Sequence, residues 1–224
     1  MFYEGANMKI IIILIACSVV IIAPVRAEYQ SFTYGGHTYR LYFGKDMRTW
    51  DDARKFAAST SIGIARGYLS NVNSAAENAA IYSVIHKVFD KAGYLGGIGS
   101  AARDGGGACY AWLGGNDMAS EGEFYWASST KISAQKFWTG GHAGHAVDSM
   151  YVNWGAGKLG HEPDNYNSSQ NAVAIAAEKW PLRGGIGCGG QWNDINQNNV
   201  ISFVVEYDTQ TPAGKPTEKM PPKN

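Results

Sequence analysis

Three short stretches of the chain carry side chains that could do chemistry together: Glu162-Pro163-Asp164, Gln170-Asn171 and Trp192-Asn193-Asp194. They offer carboxylates and amides, with no cysteine among them and histidine (His161) only at the margin. Hard oxygen donors of this kind suit calcium, which takes about six to eight oxygens in a flexible shell, better than zinc or copper. The proline between two acids adds a mechanical element. Side chains alternate along an extended trans chain, whereas a cis X-Pro bond can turn both neighbours toward one point. Taken alone, Trp192-Asn193-Asp194 reads as a strand end whose Trp packs in the core and whose Asp begins a turn. Beside the acidic loop it reads as the other half of a calcium site.

Other reactive combinations fall short of a mechanism. His142 and His145 form H-x-x-H in a glycine-rich loop, without the helix or the glutamate base of a zinc hydrolase. Gly184–Gly190 (GGIGCGG) lacks the G-K-[ST] ending and following helix of a phosphate-binding loop. Cys188 has no paired base motif that would make it a nucleophile. Asn167-Ser168-Ser169 fits a glycosylation sequon. These residues point to a binding protein and not to an enzyme, so no catalytic residue is assigned.

Composition bounds the rest. With 19 basic and 19 acidic residues the formal charge is zero. Neither the basic surface of a nucleic-acid binder nor an acidic disordered tail is indicated. A length of 224 residues with 45% hydrophobic content allows one well-buried core. The 28 glycines and 7 tryptophans suggest a loop-heavy domain pinned by large aromatics.

The N-terminal segment 1–27 reads as a signal peptide. Met8-Lys9 leads into the apolar run Ile10–Ile22, and Val25 and Ala27 make a cleavage site before Glu28. The run is short for a spanning helix, and Met8 is a second candidate start. Leu14-Ile15-Ala16-Cys17 resembles a lipobox, but the stretch after Cys17 stays apolar where a lipoprotein linker is polar. A secreted or periplasmic product, with no transmembrane segment in the mature chain, is expected. Removal of Cys17 leaves Cys109 and Cys188, which an oxidising compartment permits to form a disulfide or to remain buried thiols.

The elements that must position the acids follow from local patterns. Phe32–Phe43 alternates aromatic and polar residues around Gly35-Gly36, predicting a hairpin. Thr49-Trp50-Asp51-Asp52 opens a helix with a capping pattern, and Trp50, Ala53, Phe56 and Ala57 give it a buried face. Ser74-Ala75-Ala76-Glu77 opens a second helix, continued by Ile81, Val84, Ile85 and Phe89. Short strands are expected at Tyr110–Leu113, Phe124–Trp126, Ala172–Ala176 and Ile201–Tyr207. The span 127–171 reads as one long loop. Residues 28–208 form a single α+β domain in this reading, and 209–224, rich in Pro, Lys and Thr, a disordered tail.

In this order the motifs resemble the C-type lectin-like domain. They are Trp50 and Ala53 on the first helix, then Gly67-Tyr68-Leu69, Asn73-Ser74 and Glu77, and then Ala111-Trp112-Leu113-Gly114-Gly115-Asn116-Asp117. Glu121-Gly122 with Trp126, Asn153-Trp154, Glu162-Pro163-Asp164-Asn165, Trp192-Asn193-Asp194 and Val204–Tyr207 complete the series. The resemblance implies two helices, short antiparallel sheets and a long calcium-binding loop region. It also implies half-cystines near Ala57, at Ala172, near Gln197 and at Val205, none of which is cysteine here. In that respect the chain is similar to secreted bacterial members of the family.

The resemblance further implies that Glu162, Asp164, Gln170, Asn193 and Asp194 ligate Ca2+, and that Glu162, Asp164, Gln170 and Asn193 also meet a carbohydrate. Against the family's sugar-binding set, Asp164 replaces an asparagine and Gln170 a glutamate. The ligand charge is unchanged, but the first sugar hydroxyl would face two acceptors and the second two donors. That order matches neither the mannose-type nor the galactose-type arrangement. Trp112, Trp126 and Trp154 are expected in the core, and Trp138, Tyr151 and Tyr166 are loop aromatics able to stack on a sugar. The alternative function on the same fold is calcium-independent adhesion to a protein partner through the stretch 127–153.

Overall fold

The computed structural model describes residues 28–209. The expected signal-peptide segment 1–27, with Cys17, and all of the expected tail beyond Thr209 lie outside these residues. The chain opens with strands β1 (Tyr29–Tyr34) and β2 (His37–Tyr42), followed by helix α1 (Trp50–Ser59). Strands β3 (Ser61–Ile62) and β4 (Ala65–Leu69) lead to helix α2 (Ala75–Lys91). Then come β5 (Tyr110–Asn116), β6 (Glu123–Trp126), β7 (Gln135–Thr139) and β8 (His145–Ala146). The last three strands are β9 (Ala172–Ala176), β10 (Trp192–Ile195) and β11 (Ser202–Tyr207).

The β1–β2 hairpin turns on Gly35 and Gly36, both at positive φ, a conformation glycine adopts without a Cβ penalty. Both helices start as their sequences require. The Thr49 hydroxyl accepts from the Asp52 amide at 3.4 Å, and the Ser74 hydroxyl accepts from the Glu77 amide at 3.2 Å. The predicted faces are buried at Trp50, Ala53 and Ala57 on α1 and at Ile81, Ile85 and Phe89 on α2.

Strand β11 is the hub. It pairs antiparallel with β2 and with β4, and parallel with β5, so the N-terminal hairpin and the last strand close the fold together. From β5 the sheet runs outward through β6 and β7 to β8. β5 also pairs antiparallel with β9, and β9 with β10. That ladder sets Asn193 opposite Ala174 and Asp194 opposite Val173.

No disulfide forms. Cys109 is buried and donates its thiol to the Tyr94 carbonyl, whereas exposed Cys188 lies beside Gln191. The bridge permitted by the sequence is therefore absent, because each sulfur has a separate local setting. At two of the positions where the family resemblance implied half-cystines, Ala57 and Val205 are fully buried in one apolar cluster. They meet across Gly67, whose missing Cβ would lie 2.7 Å from the Ala57 carbonyl oxygen and 2.8 Å from Val205 Cγ1. Close packing fills both positions.

The span 127–171 is not one long loop. It contains β7 and β8, which extend the sheet, and Trp154 bridges to Trp192. Trp126, Trp154 and Trp192 meet Phe137 in a set of stacked and edge-on contacts about 4–6 Å between ring centres. Trp112, Trp126 and Trp154 are core residues, as expected. Trp138 is buried too, on β7, so it offers no face to a ligand. The alternation of Gln135–Thr139 is short and irregular, which hid this strand in the sequence.

Candidate functional site

The loop after Gly160 reverses tightly. The Glu162-Pro163 peptide is cis, and Asn165 adopts the left-handed conformation that asparagine tolerates. The turn is anchored to β10. The Asp164 and Asn165 amides donate to the two carboxylate oxygens of Asp194, at 3.0 and 2.9 Å. Tyr166 donates its amide to Asp164 Oδ1 at 3.0 Å and to Gln170 Oε1 at 2.7 Å, and Gln170 returns its own amide to Asn165 Oδ1.

This folding brings Glu162, Asp164 and Asp194 together, with a carboxylate oxygen of each within 4.8 Å of the others. Glu162 is 4% and Asp194 0% exposed, while Asp164 faces solvent. Burial pushes the Glu162 carboxyl well above the usual carboxylate range, and the charges of Asp194 and Asp164 push it further. Burial raises Asp194 in the same direction, with its two backbone hydrogen bonds opposing and the Asp164 charge adding. Three carboxylates this close repel one another when ionised, and a cation among them reverses that.

The amides complete the wall. Glu162, Asp164, Gln170 and Asn193 line one cavity of about 270 Å³, together with Trp180, Pro181 and Tyr166. Glu162 Oε1 accepts from the indole Nε1 of Trp180 at 3.0 Å. Its second oxygen, Oε2, is buried without a hydrogen-bond partner, as is Asn193 Oδ1. Buried acceptors without donors are costly, by about 1–3 kcal/mol each, and both belong to residues facing the cavity. The five residues singled out in the sequence thus converge. Their donor set, three carboxylates and two amides, fits calcium.

The amide half of the site differs from what donor counting alone suggests. Asn193 Nδ2 already donates to the Tyr110 hydroxyl at 3.0 Å. Gln170 Nε2 donates to the Asp104 carbonyl and carboxylate at 3.1 and 3.3 Å. Asp104 is the residue that reading the sequence missed. It also accepts from the Asn196 amide at 2.6 Å and Asn199 Nδ2 at 2.7 Å, tying the 100–107 loop to the turn after β10. Nothing in Arg103-Asp104-Gly105 signals this, since the partners are separated by 66 to 95 residues. Tyr166, 55% exposed, stands at the cavity mouth, and Tyr151 packs edge-on against Trp192. His142 and His145 are exposed and join no metal-binding cluster among the described residues.

No family model matches the chain. The alpha-N-acetylgalactosamine-specific lectin of Patiria pectinifera is 24% identical over 177 residues, 79% of this chain and 77% of that protein. The crystal structure of the C-type lectin CEL-I from Cucumaria echinata matches 80% of this chain and 96% of its own, with a TM-score of 0.51 at 20% identity. CEL-IV matches 79% of this chain and 90% of its own, with a TM-score of 0.51 at 19% identity. The chain has the C-type lectin-like fold.

Proposed function

We propose that this chain, a C-type lectin-like domain by its fold, is an exported calcium-dependent carbohydrate-binding protein with no catalytic activity. The observation that carries the reading is the convergence of Glu162, Asp164 and Asp194 at a cavity where Glu162 Oε2 and Asn193 Oδ1 are buried without partners. Glu162, Asp164, Gln170, Asn193 and Asp194 would hold the ion. Once bound, calcium would supply open coordination positions for a pair of neighbouring sugar hydroxyls.

The chain's own residues then select among sugars. Asp164 is exposed and keeps acceptor capacity toward the cavity. Asn193 has one amide proton left after its bond to Tyr110, while both Gln170 donor contacts go to Asp104. The site is therefore richer in acceptors than in donors, and favours a sugar whose hydroxyls donate. Tyr166 at the mouth offers an aromatic face. The signal sequence supports export, and the relatedness to a lectin supports a carbohydrate ligand.

A glycan array probed with the protein in calcium and again in chelator tests the reading. Binding to saccharides that chelator abolishes supports it. Saccharide binding that persists in chelator would contradict the calcium dependence, and no saccharide binding in either condition would favour the protein-adhesion alternative.

A further inference from the structure

At the far end of β11, the imidazole of His37 stands between two carboxylates contributed by other parts of the fold. Its Nδ1 lies 3.0 Å from Glu206 Oε1 and 3.0 Å from Asp208 Oδ1. That nitrogen is buried, yet it has no hydrogen-bond partner, so neither contact has the alignment of a hydrogen bond. One donor atom from each of the three residues lies within 4.8 Å of the others. Ligand atoms about 2.0–2.2 Å from a shared tetrahedral zinc ion sit about 3.3–3.6 Å apart, so the two His37 contacts need only a small expansion.

Both carboxylates are held by neighbouring groups, Glu206 through the oxygen that faces away from His37. Glu206 Oε2 accepts from the Ser70 hydroxyl and the Asn71 amide, each at 3.2 Å, which leaves Oε1 directed at His37. The Tyr68 hydroxyl donates to Asp208 Oδ1 at 2.7 Å. Such outer partners fix the orientation of metal ligands. A cavity of about 210 Å³, lined by His37, Glu206 and Glu77 among others, gives water access to the remaining coordination positions. An imidazole nitrogen with two carboxylate oxygens suits a borderline ion such as zinc better than calcium.

We propose that His37, Glu206 and Asp208 form a metal site separate from the Glu162–Asp194 cluster, taking a divalent transition ion of the zinc type. The ion links the β1–β2 hairpin to the end of β11, beside the pairing of β2 with the last strand, in a domain whose two described cysteines are both free.

Zinc chloride titrated calorimetrically into the intact chain tests this, with wild type, His37→Gln, Asp208→Asn and Asp164→Asn compared. Wild type and Asp164→Asn bind one zinc ion with the same affinity, whereas His37→Gln and Asp208→Asn each lose at least about tenfold. Both substitutions lie at solvent-accessible side chains, and far-UV circular dichroism checks that each variant is folded. Should one of them fail to fold, the other decides. Cobalt gives a second readout, as a visible absorption band present in wild type and lost with His37→Gln. The proposal is overturned if wild type binds no zinc, or if His37→Gln binds it as tightly as wild type through other groups such as the exposed His142 and His145. Loss of zinc in Asp164→Asn alone would equally overturn it, by moving the ion to the other cluster.

Discussion

The indole Nε1 of Trp180 donates to Glu162 Oε1 at 3.0 Å, and so fixes the carboxylate with its other oxygen, Oε2, buried and unpartnered. The tryptophan is itself 1% exposed and stacks edge-on with Tyr110, which in turn receives the Asn193 amide. Two of the five candidate ligands are thereby oriented by one aromatic pair that has no ligand atom of its own in the set.

Trp180→Phe keeps most of the apolar volume but removes the donor. Calcium affinity is expected to fall about 10–100-fold, as for other groups that orient metal ligands. Calorimetric calcium titration of the two proteins measures it. An unchanged affinity would mean that Glu162 is not held this way.

Asp104 acts on the site from further out, through Gln170, the Asn196 amide and Asn199. Asp104→Ala leaves those donors without their acceptor and is expected to cost about 1–3 kcal/mol in urea unfolding. Calcium affinity should weaken along with stability, although Asp104 is not among the five ligands.

Asp117 gives the fold a pH dependence apart from metal. Burial pushes its carboxyl from the usual range up to about 7, against the hydrogen bond that its Oδ2 accepts from the Gly122 amide. An acid whose pKa is raised by folding binds its proton more tightly in the native state. Its contribution is complete below the unfolded value of about 4 and is lost as pH rises through about 7. Metal-free protein should therefore lose stability, on the order of a few kcal/mol, between about pH 4 and pH 8. In Asp117→Asn, which mimics the protonated form, this part of the slope is absent. Denaturant unfolding across that range compares the two.

Much of this architecture is written in local patterns. Thr49 and Ser74 announce the two helices because a cap acts over three residues. Ala172–Ala176 is apolar enough to read as a buried strand. The acids around Pro163 and the Asn193-Asp194 pair are conspicuous because hard oxygen donors cluster within few residues. What stayed hidden depends on long-range partners. Asp104 buttresses Gln170 across 66 residues, and Trp180 reaches Glu162 from a glycine-rich loop with no periodicity. The strand at Gln135–Thr139 carries only Phe137 and Trp138 as buried residues, too few to set a period. Cys109 and Cys188 show the converse, since two cysteines in a chain expected to be exported permit a bridge that the fold does not make.

The central claim is that the Glu162–Asp194 cluster holds calcium, and thermal unfolding of metal-free protein with and without added calcium tests it most directly. At calcium about 100-fold above its dissociation constant, binding adds about 2.7 kcal/mol, a rise in midpoint of about 5–10 °C for a domain of this size. Asp194→Asn should abolish the rise. Equal midpoints for wild type with calcium and with chelator would contradict the account.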